Sequence, residues 1–449
     1  MTVCVCMYST VGDGRVESVQ GRVPRQRCPQ SASCPLAVFR LHCDAVRPIR
    51  ARFAAKSVSP MSAVDVEAPA APAPVTPRAE ESKAPPGPGP LLSLLACLRS
   101  SGGASREGSV ESLRASRTDA AAFVVNCFAL GASGENLRVA GTRGRGAKAV
   151  VDGLASNLGS EEAQVAGCVA LRRLARDGAG QEAVGAAGGV TAVLAAQAAF
   201  PSSARVQVAS WTTLAALTLA PGNELQAVAQ GALGTAVAVL SAPEAPSPEV
   251  TEAVALALRN LCGSHKSQQL AAEAGAIPAV LQGLAAQSAH ESPLAALLAA
   301  LRNVTALGKN KETAADAGAL QAVLGVLKAW PQGAGVQAAG LGALWSLAGS
   351  HGNKVRLATS GALDVIVASL REHSGDAAVQ EAGLGAMASV AWTNLAYKER
   401  AIRAGGMQAV DAALAAFGDN PRVRIRASEA RSRLRQTNDP DGDAFMPNM

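Results

Sequence analysis

Aromatic residues and long apolar runs are both scarce in this chain. Phe, Trp and Tyr together make up 3% of the 449 residues, although 49% of the residues are hydrophobic. A core must therefore consist mainly of Leu, Val and Ala, and alanine favours helices that approach each other closely. No apolar run approaches the ~20 residues that a membrane-spanning helix needs, and the stretch LLSLLACL at 91–98 is far too short. The sequence therefore predicts no transmembrane segment.

Cysteine spacings typical of disulfide frameworks or zinc sites are also missing. The chain has 9 cysteines, an odd number, and those of the N-terminal region lack the C-x2-C spacing of zinc ligands. Cysteines inside helical patterns are expected to be free and buried. We therefore predict a reducing, cytoplasmic location and no cofactor or metal.

Catalytic motifs are absent as well. The stretch GTRGRGAK at 141–148 is superficially similar to a phosphate-binding loop, but Ala147 interrupts the pattern and no hydroxyl residue follows Lys148. We expect an irregular basic loop there. No constellation of Ser, His and Asp or of Cys and His can be assembled, so no enzymatic activity is predicted. The net charge of +6 is modest for this length and does not predict a nucleic-acid partner.

A regular repeat is what the sequence does contain. Glycines that follow a short helical pattern recur at intervals of 43 or 44 residues, and they are Gly188, Gly231, Gly275, Gly318, Gly361 and Gly405. A second column recurs with nearly the same period near the end of a longer helical pattern, and its members are Arg172, Ala215, Arg259, Arg302, Trp345 and Ala388. Two independent columns with one period predict a repeat of about 43 residues with two or three helices per unit.

The long helices of this repeat can be placed from the second column. We predict them at 161–175, 204–218, 248–262, 292–305, 334–348, 376–396 and 421–435, with an earlier one at 110–130. The helix at 376–396 is drawn long because a second Asn-Leu pair, Asn394 and Leu395, follows Trp392. The last helix is rich in arginine, and we interpret it as a polar cap that ends the array.

The repeated residues resemble those of the armadillo family. AEAGAIPAVLQGL at 272–284 is similar to the family's second helix, and ALRNLC at 257–262 is similar to the end of its third. The resemblance implies an all-α fold, a right-handed superhelical armadillo-repeat solenoid of about seven full repeats with partial ends. Stacked units bury the apolar faces that single units cannot bury alone. We place the solenoid at 90–436.

The flanking segments have a different composition. Residues 1–89 combine an arginine-bearing leader with a Pro/Ala-rich linker, and residues 437–449 form a short tail. Both are predicted to be disordered. The leader, residues 1–60, is poor in acidic residues, so a transit peptide for a plastid or mitochondrion is the alternative to a cytoplasmic location.

The resemblance also implies a candidate site on the concave face. In the armadillo family the third helix lines a groove, and its asparagine bonds the main chain of an extended peptide. By resemblance, Asn260 and Asn303 would do so here, Arg259 and Arg302 would bind acidic groups, and Trp345 would be an apolar anchor. Ser346 takes the next place in the asparagine column. The alternative is that the asparagines brace adjacent units and the two arginines are solvated.

The predicted function is that of a non-catalytic scaffold or adaptor. It would be a monomer that binds a protein partner, as an extended peptide or a helix, in the concave groove. One alternative is an armadillo-type nucleotide exchange factor for Hsp70. A nuclear-import adaptor is less favoured, because the residues four positions before the asparagine column include no tryptophan.

Overall fold

The chain folds into a stack of α-helices in this computed structural model, which describes residues 115, 117–132, 144–392 and 394–436. All of them belong to one compact unit. Within these ranges the regular secondary structure is entirely helical, with 21 helices. The predicted all-α solenoid is therefore confirmed. The predicted boundary at 89/90 lies outside the described residues, and the one at 436/437 lies at their edge, so both remain predictions.

The helices repeat in the order short, middle, long. The short helices, each of nine residues, are α4 (Gly178–Ala186), α7 (Pro221–Ala229), α10 (His265–Glu273), α13 (Gly308–Asp316), α16 (His351–Thr359) and α19 (Leu395–Arg403). The middle helices are α2 (Arg145–Ser156), α5 (Gly189–Ala199), α8 (Ala232–Leu240), α11 (Ala276–Ala286), α14 (Ala319–Ala329), α17 (Ala362–Glu372) and α20 (Gly406–Phe417). The long helices are α1 (Ala120–Ala132), α3 (Glu161–Leu174), α6 (Ala204–Leu217), α9 (Pro248–Leu261), α12 (Glu291–Val304), α15 (Ala334–Leu347), α18 (Ala377–Ala391) and α21 (Pro421–Arg435). Six complete units and one two-helix unit, α2–α3, follow α1.

Each middle helix of a complete unit begins after a glycine in the left-handed conformation. The φ angles of the six predicted bend glycines lie between 81° and 94°. This region is strained for residues with a β-carbon, so glycine is what lets the chain reverse between the short and middle helices. The glycine column is therefore confirmed as the bend of every unit.

The core is built from small aliphatic side chains, as the composition predicts. Successive long helices pack against one another along the whole array, and the middle helices pack on their other side. Trp211 is the largest fully buried side chain, and its indole N–H donates to Gln207 at 3.0 Å. Most of the other buried positions are Leu, Val or Ala.

Two columns of buried amides hold the helices in register. Gln337, the fourth residue of α15, donates from Nε2 to the carbonyls of Leu327 and Trp330, both at 2.8 Å. The same paired bonds recur at Gln164, Gln207 and Gln380. In the short helices, Asn310 donates to the carbonyl of Gln268 in the preceding unit at 2.9 Å, with equivalent bonds at Asn223 and Asn353. Backbone carbonyls at helix C-termini, which have no partner within their own helix, thus accept hydrogen bonds from these side chains.

Three predicted boundaries are wrong. The helix predicted at 110–130 is interrupted: residue 115 is helical, residues 117–119 form a turn, and α1 begins at Ala120, where Asp119 accepts the amides of the first helical turn. The predicted basic loop at 141–148 is helical from Arg145, where α2 begins after Gly144. The helix predicted at 376–396 ends at Ala391, and Asn394 then caps α19 by accepting the Ala396 amide at 2.7 Å.

Candidate functional site

A groove crosses five successive long helices, α9, α12, α15, α18 and α21. Its volume is about 520 Å³. The floor is made mainly of alanines, namely Ala295, Ala296, Ala299, Ala338, Ala339, Ala378 and Ala382. Side chains this short let the backbone of a bound chain come close to the helices. Charged and aromatic groups stand around this floor, and they are Glu252, Arg259, Arg302, Trp345, Glu381 and Arg422.

The predicted arginine column lies on one side of the groove. Arg259, Arg302 and Trp345 are each the twelfth residue of their long helix, so they stand in line near the C-terminal ends of α9, α12 and α15. Among the described residues, neither arginine has a carboxylate within the 4.0 Å of an ion pair. Arg302 is exposed, and Arg259 is half-buried. Their charges are therefore not neutralised by an internal acid, although Arg259 donates from Nε to Asn260 Oδ1 at 3.2 Å and the Arg302 guanidinium lies over the Trp345 ring at 6.0 Å from its centroid.

Arg302 and Trp345 each lean over the next long helix. A β-carbon at Gly342 of α15 would lie 3.3 Å from Cδ of Arg302, and one at Gly385 of α18 would lie 2.7 Å from the Trp345 ring. The second distance is shorter than β-carbon contacts normally are. Glycine at 385 is thus what allows the indole of Trp345 to lie flat against α18.

The asparagine column lies beside the groove, and its side chains form hydrogen bonds to the preceding long helix. Asn260 donates from Nδ2 to the carbonyl of Ala215, and Asn303 does so to the carbonyl of Arg259, both at 2.7 Å. Ser346 continues the series with a bond to the Arg302 carbonyl at 3.2 Å. Through these bonds the asparagines brace adjacent units, which was the alternative considered from the sequence. An amide has further hydrogen-bonding capacity, so binding of a peptide main chain by Asn260 and Asn303 stays a prediction.

Arginines of α21 contact tryptophans at the C-terminal end of the array. The guanidinium of Arg426 lies over the Trp345 ring at 4.6 Å from its centroid, and that of Arg433 lies over Trp392 at 3.3 Å. Both arginines also pair with Glu429, at 2.8 and 3.2 Å. The predicted cap thus has two inward-facing arginines that contact the groove tryptophan and its neighbour.

Two glutamates on the other side of the groove were missed by the sequence reading. Glu252 and Glu381 are each the fifth residue of their long helix, α9 and α18. Glu381 lies 4.0 Å from Arg422, whereas Glu252 has no basic group within that distance among the described residues. The position seven residues before the arginine column holds Glu252, Ala295, Ala338 and Glu381 in successive long helices, so no periodic acidic signal was there to be found in the sequence.

The cysteines and the possible metal ligands in the described part of the chain do not form a catalytic or metal site. Burial raises the pKa of the Cys168 and Cys262 thiols to about 12, and burial likewise raises the pKa of Cys127. These three thiols are therefore protonated and inert at neutral pH. The residues that the structure describes contain no group of three or more His, Cys, Asp or Glu side chains suited to a metal ion.

No single helix in the described ranges is both long and apolar enough to cross a membrane. Helices α4 and α5 meet the length and composition only when they are taken together across a bend of 69°.

Comparison with known proteins identifies the fold and leaves the family open. No protein-family description matches the sequence, and no curated protein matches it either. Among solved structures, the crystal structure of an engineered protein matches with a TM-score of 0.56 and 18% identity, covering 78% of this chain and 92% of the other. A designed armadillo repeat protein matches with a TM-score of 0.46 and 22% identity, over 52% of this chain and 95% of its own. A computationally designed armadillo repeat protein for modular peptide recognition matches with a TM-score of 0.44 and 21% identity, over 51% and 94%.

The chain has an armadillo-like repeat fold. The three-helix unit, its left-handed glycine bend and the period of the bends are seen directly in the structure. The resemblance drawn from the repeated residues is therefore confirmed at the level of the fold.

Proposed function

We propose that this protein is a non-catalytic scaffold or adaptor that binds a segment of a protein partner in the groove of the long helices. The observation that carries the proposal is the pair Arg259 and Arg302. They stand in line in a groove with an alanine floor, and no described carboxylate pairs with either of them. An arginine in a groove without a carboxylate partner can donate charge-assisted hydrogen bonds to acidic groups of a ligand.

Bonds to these arginines have the strength needed for a specific contact. A hydrogen bond to a charged group contributes about 1.5–3 kcal/mol, roughly twice the value of a neutral one. Trp345 adds an aromatic surface of the kind that dominates binding energy in interfaces. Asn260, Asn303 and Ser346 hold this side of the groove in place through their bonds to the preceding helices. In this proposal the two arginines and Trp345 contact the partner, and the two asparagines and Ser346 position them.

A peptide-display selection on the full chain tests the proposal. Selected peptides are expected to lose at least tenfold in affinity for the double variant R259E/R302E, measured by fluorescence anisotropy. Circular dichroism and the melting temperature should stay unchanged, since both side chains lie at the surface of the groove.

A matched control variant makes the same change in charge at two positions outside the groove. Arg176 and Arg403 are exposed and do not line the groove. The variant R176E/R403E should bind the selected peptides as the unaltered chain does. Peptides that bind both variants equally, or the absence of any enriched peptide, would contradict the proposed groove.

We also propose that the scaffold acts as a monomer in the cytoplasm. Light scattering coupled to size exclusion gives the mass in solution, and a dimer at micromolar concentration would contradict the first part. Import of the full chain into isolated plastids or mitochondria, with removal of the leader, would contradict the second. Release of ADP from Hsp70 in the presence of the chain would favour the exchange-factor alternative instead.

A further inference from the structure

The groove carries charges of opposite sign on its two sides. Glu252 and Glu381 are fifth residues of their long helices, and Arg259 and Arg302 are twelfth residues. The fifth residues of α12 and α15, between the two glutamates, are Ala295 and Ala338, so the acidic row consists of one glutamate at each end. Seven residues along a helix correspond to a rise of about 10 Å. The acidic row therefore lies toward the N-terminal ends of the long helices and the basic row toward their C-terminal ends, with the alanine floor between them.

The two rows are too far apart to neutralise each other. Glu252 and Arg259 share one helix and are separated by two turns, and no ion pair between the rows is formed by the described residues. At this distance an exposed pair gains almost nothing, because water and salt screen it. Arg422 reaches only one end of the acidic row, at 4.0 Å from Glu381. Most of this charge is thus left for a ligand.

An extended chain in this groove meets the rows alternately. A segment that runs along the groove crosses the long helices, so its alternate side chains point toward the N-terminal and C-terminal ends of those helices. From α9 to α18 there are three helix-to-helix steps of about 9 Å each. At about 3.3 Å per residue, eight or nine residues span that distance.

We propose that the partner segment is an extended stretch of eight to ten residues in which basic and acidic side chains alternate. Its basic side chains face Glu252 and Glu381, and its acidic side chains face Arg259 and Arg302. This inference rests on the proposed function and specifies the chemistry of the partner. An all-acidic segment satisfies the arginines but places like charges against the glutamates, which costs affinity.

Three labelled decapeptides separate this inference from simpler ones. The first alternates Lys and Glu, the second has the same composition as a block of five Lys followed by five Glu, and the third is all Glu. Binding to the full chain is measured by fluorescence anisotropy at low salt. The alternating peptide is expected to bind at least fivefold more tightly than the block peptide and the all-Glu peptide.

Charge reversal of the acidic row should reverse the preference. In the variant E252K/E381K, the all-Glu peptide is expected to bind at least fivefold more tightly than the alternating one. Glu244 and Glu399 are exposed and do not line the groove. The control E244K/E399K should therefore keep the original order of affinities.

The outcomes distinguish the two proposals. Equal affinity for the alternating and block peptides, or an unchanged order in E252K/E381K, overturns the alternating-charge inference. Tighter binding of the all-Glu peptide by the unaltered chain does the same and leaves the proposed function standing. If none of the three decapeptides binds and display enriches no peptide, the proposed function itself fails.

Discussion

The arginines in the middle of the groove and those at its C-terminal end differ in whether a carboxylate pairs with them. In the middle, Arg259 and Arg302 face the groove without a carboxylate partner among the described residues. At the end, Arg426 and Arg433 share Glu429 and lie over tryptophan rings at 4.6 and 3.3 Å. Arg302 also lies over Trp345, at the longer distance of 6.0 Å, so the shared carboxylate is the main difference. The difference teaches that an arginine on the inner face of a repeat array is a candidate binding group only when the array itself leaves its charge unpaired.

Charge reversal at the end of the groove should give the largest change in stability. The variant R426E/R433E loses two cation–π contacts of about 1 kcal/mol each and sets two acids beside Glu429. We expect the last unit to lose about 3 kcal/mol of local stability, because like charges then replace exposed ion pairs worth up to about 1 kcal/mol. Hydrogen exchange of α20 and α21 measures this loss.

The variant R259E/R302E is the natural comparison for that experiment. Its stability should stay within about 1 kcal/mol of the unaltered chain, because Arg302 is exposed, Arg259 is only half-buried, and substitutions at the surface usually change stability by about 0.5 kcal/mol each. If R259E/R302E and R426E/R433E destabilise their own units equally, the proposed difference between the arginines in the middle of the groove and those at its end is wrong.

A β-carbon at Gly385 tests whether the tryptophan joins the two regions. In Gly385→Val the new side chain meets the Trp345 ring, whose Cδ2 would lie 2.7 Å from the β-carbon. Overpacking of this kind costs about 1–3 kcal/mol, and we expect about 2. Displacement of the ring from Arg426 should also shift tryptophan emission. Unchanged emission together with unchanged stability would show that the ring does not depend on this contact.

Removal of one asparagine brace should have a moderate effect. Asn303→Ala removes the 2.7 Å bond to the Arg259 carbonyl. The expected loss is about 1 kcal/mol, the usual net value of one hydrogen bond. Because the bond positions the turn that carries Arg259, peptide affinity should fall as well, by less than in R259E/R302E. A loss of affinity equal to that of the double variant at unchanged stability would instead favour direct contact of Asn303 with the peptide.

The smallest effect is expected at the shared acid of the C-terminal end. Glu429→Gln removes two ion pairs whose members are each about a quarter to a third exposed. Pairs of this kind contribute about 0–1 kcal/mol, so we expect a loss of about 0.5 kcal/mol in thermal unfolding. A loss above about 2 kcal/mol would mean that Glu429, rather than the tryptophan rings, holds the two arginines in place.

Local sequence was sufficient for the framework of the repeat. The bend at Gly275 has a φ of 87°, which glycine adopts without strain because it has no β-carbon. This requirement depends only on the local backbone. Prolines fix helix starts in the same way at Pro248 and Pro421. The periodic Arg259 and Arg302 likewise follow from the register of helices that the glycines set. Bends, helix types and the column of groove residues could therefore be predicted.

Local sequence was insufficient where two short-range signals conflicted. Glycines and arginines at 141–148 favour a loop, yet α2 begins at Arg145 because its apolar face packs against α3 and α5. The Asn-Leu pair at 394–395 is similar to the end of a long helix, yet Asn394 is a cap that starts α19. In both cases contacts with neighbouring helices outweigh local propensity.

The sequence by itself determined the period, the glycine bends and the all-helical solenoid, because these depend on backbone conformation and on apolar spacing within one unit. Only the tertiary structure decided which polar groups are used internally. Asn303 meets the Arg259 carbonyl 44 residues away, and Arg426 reaches Trp345 across an intervening helix. Such partners are set by how the units stack. The stacking pairs the arginines at the C-terminal end with Glu429 and places those in the middle of the groove without a carboxylate among the described residues.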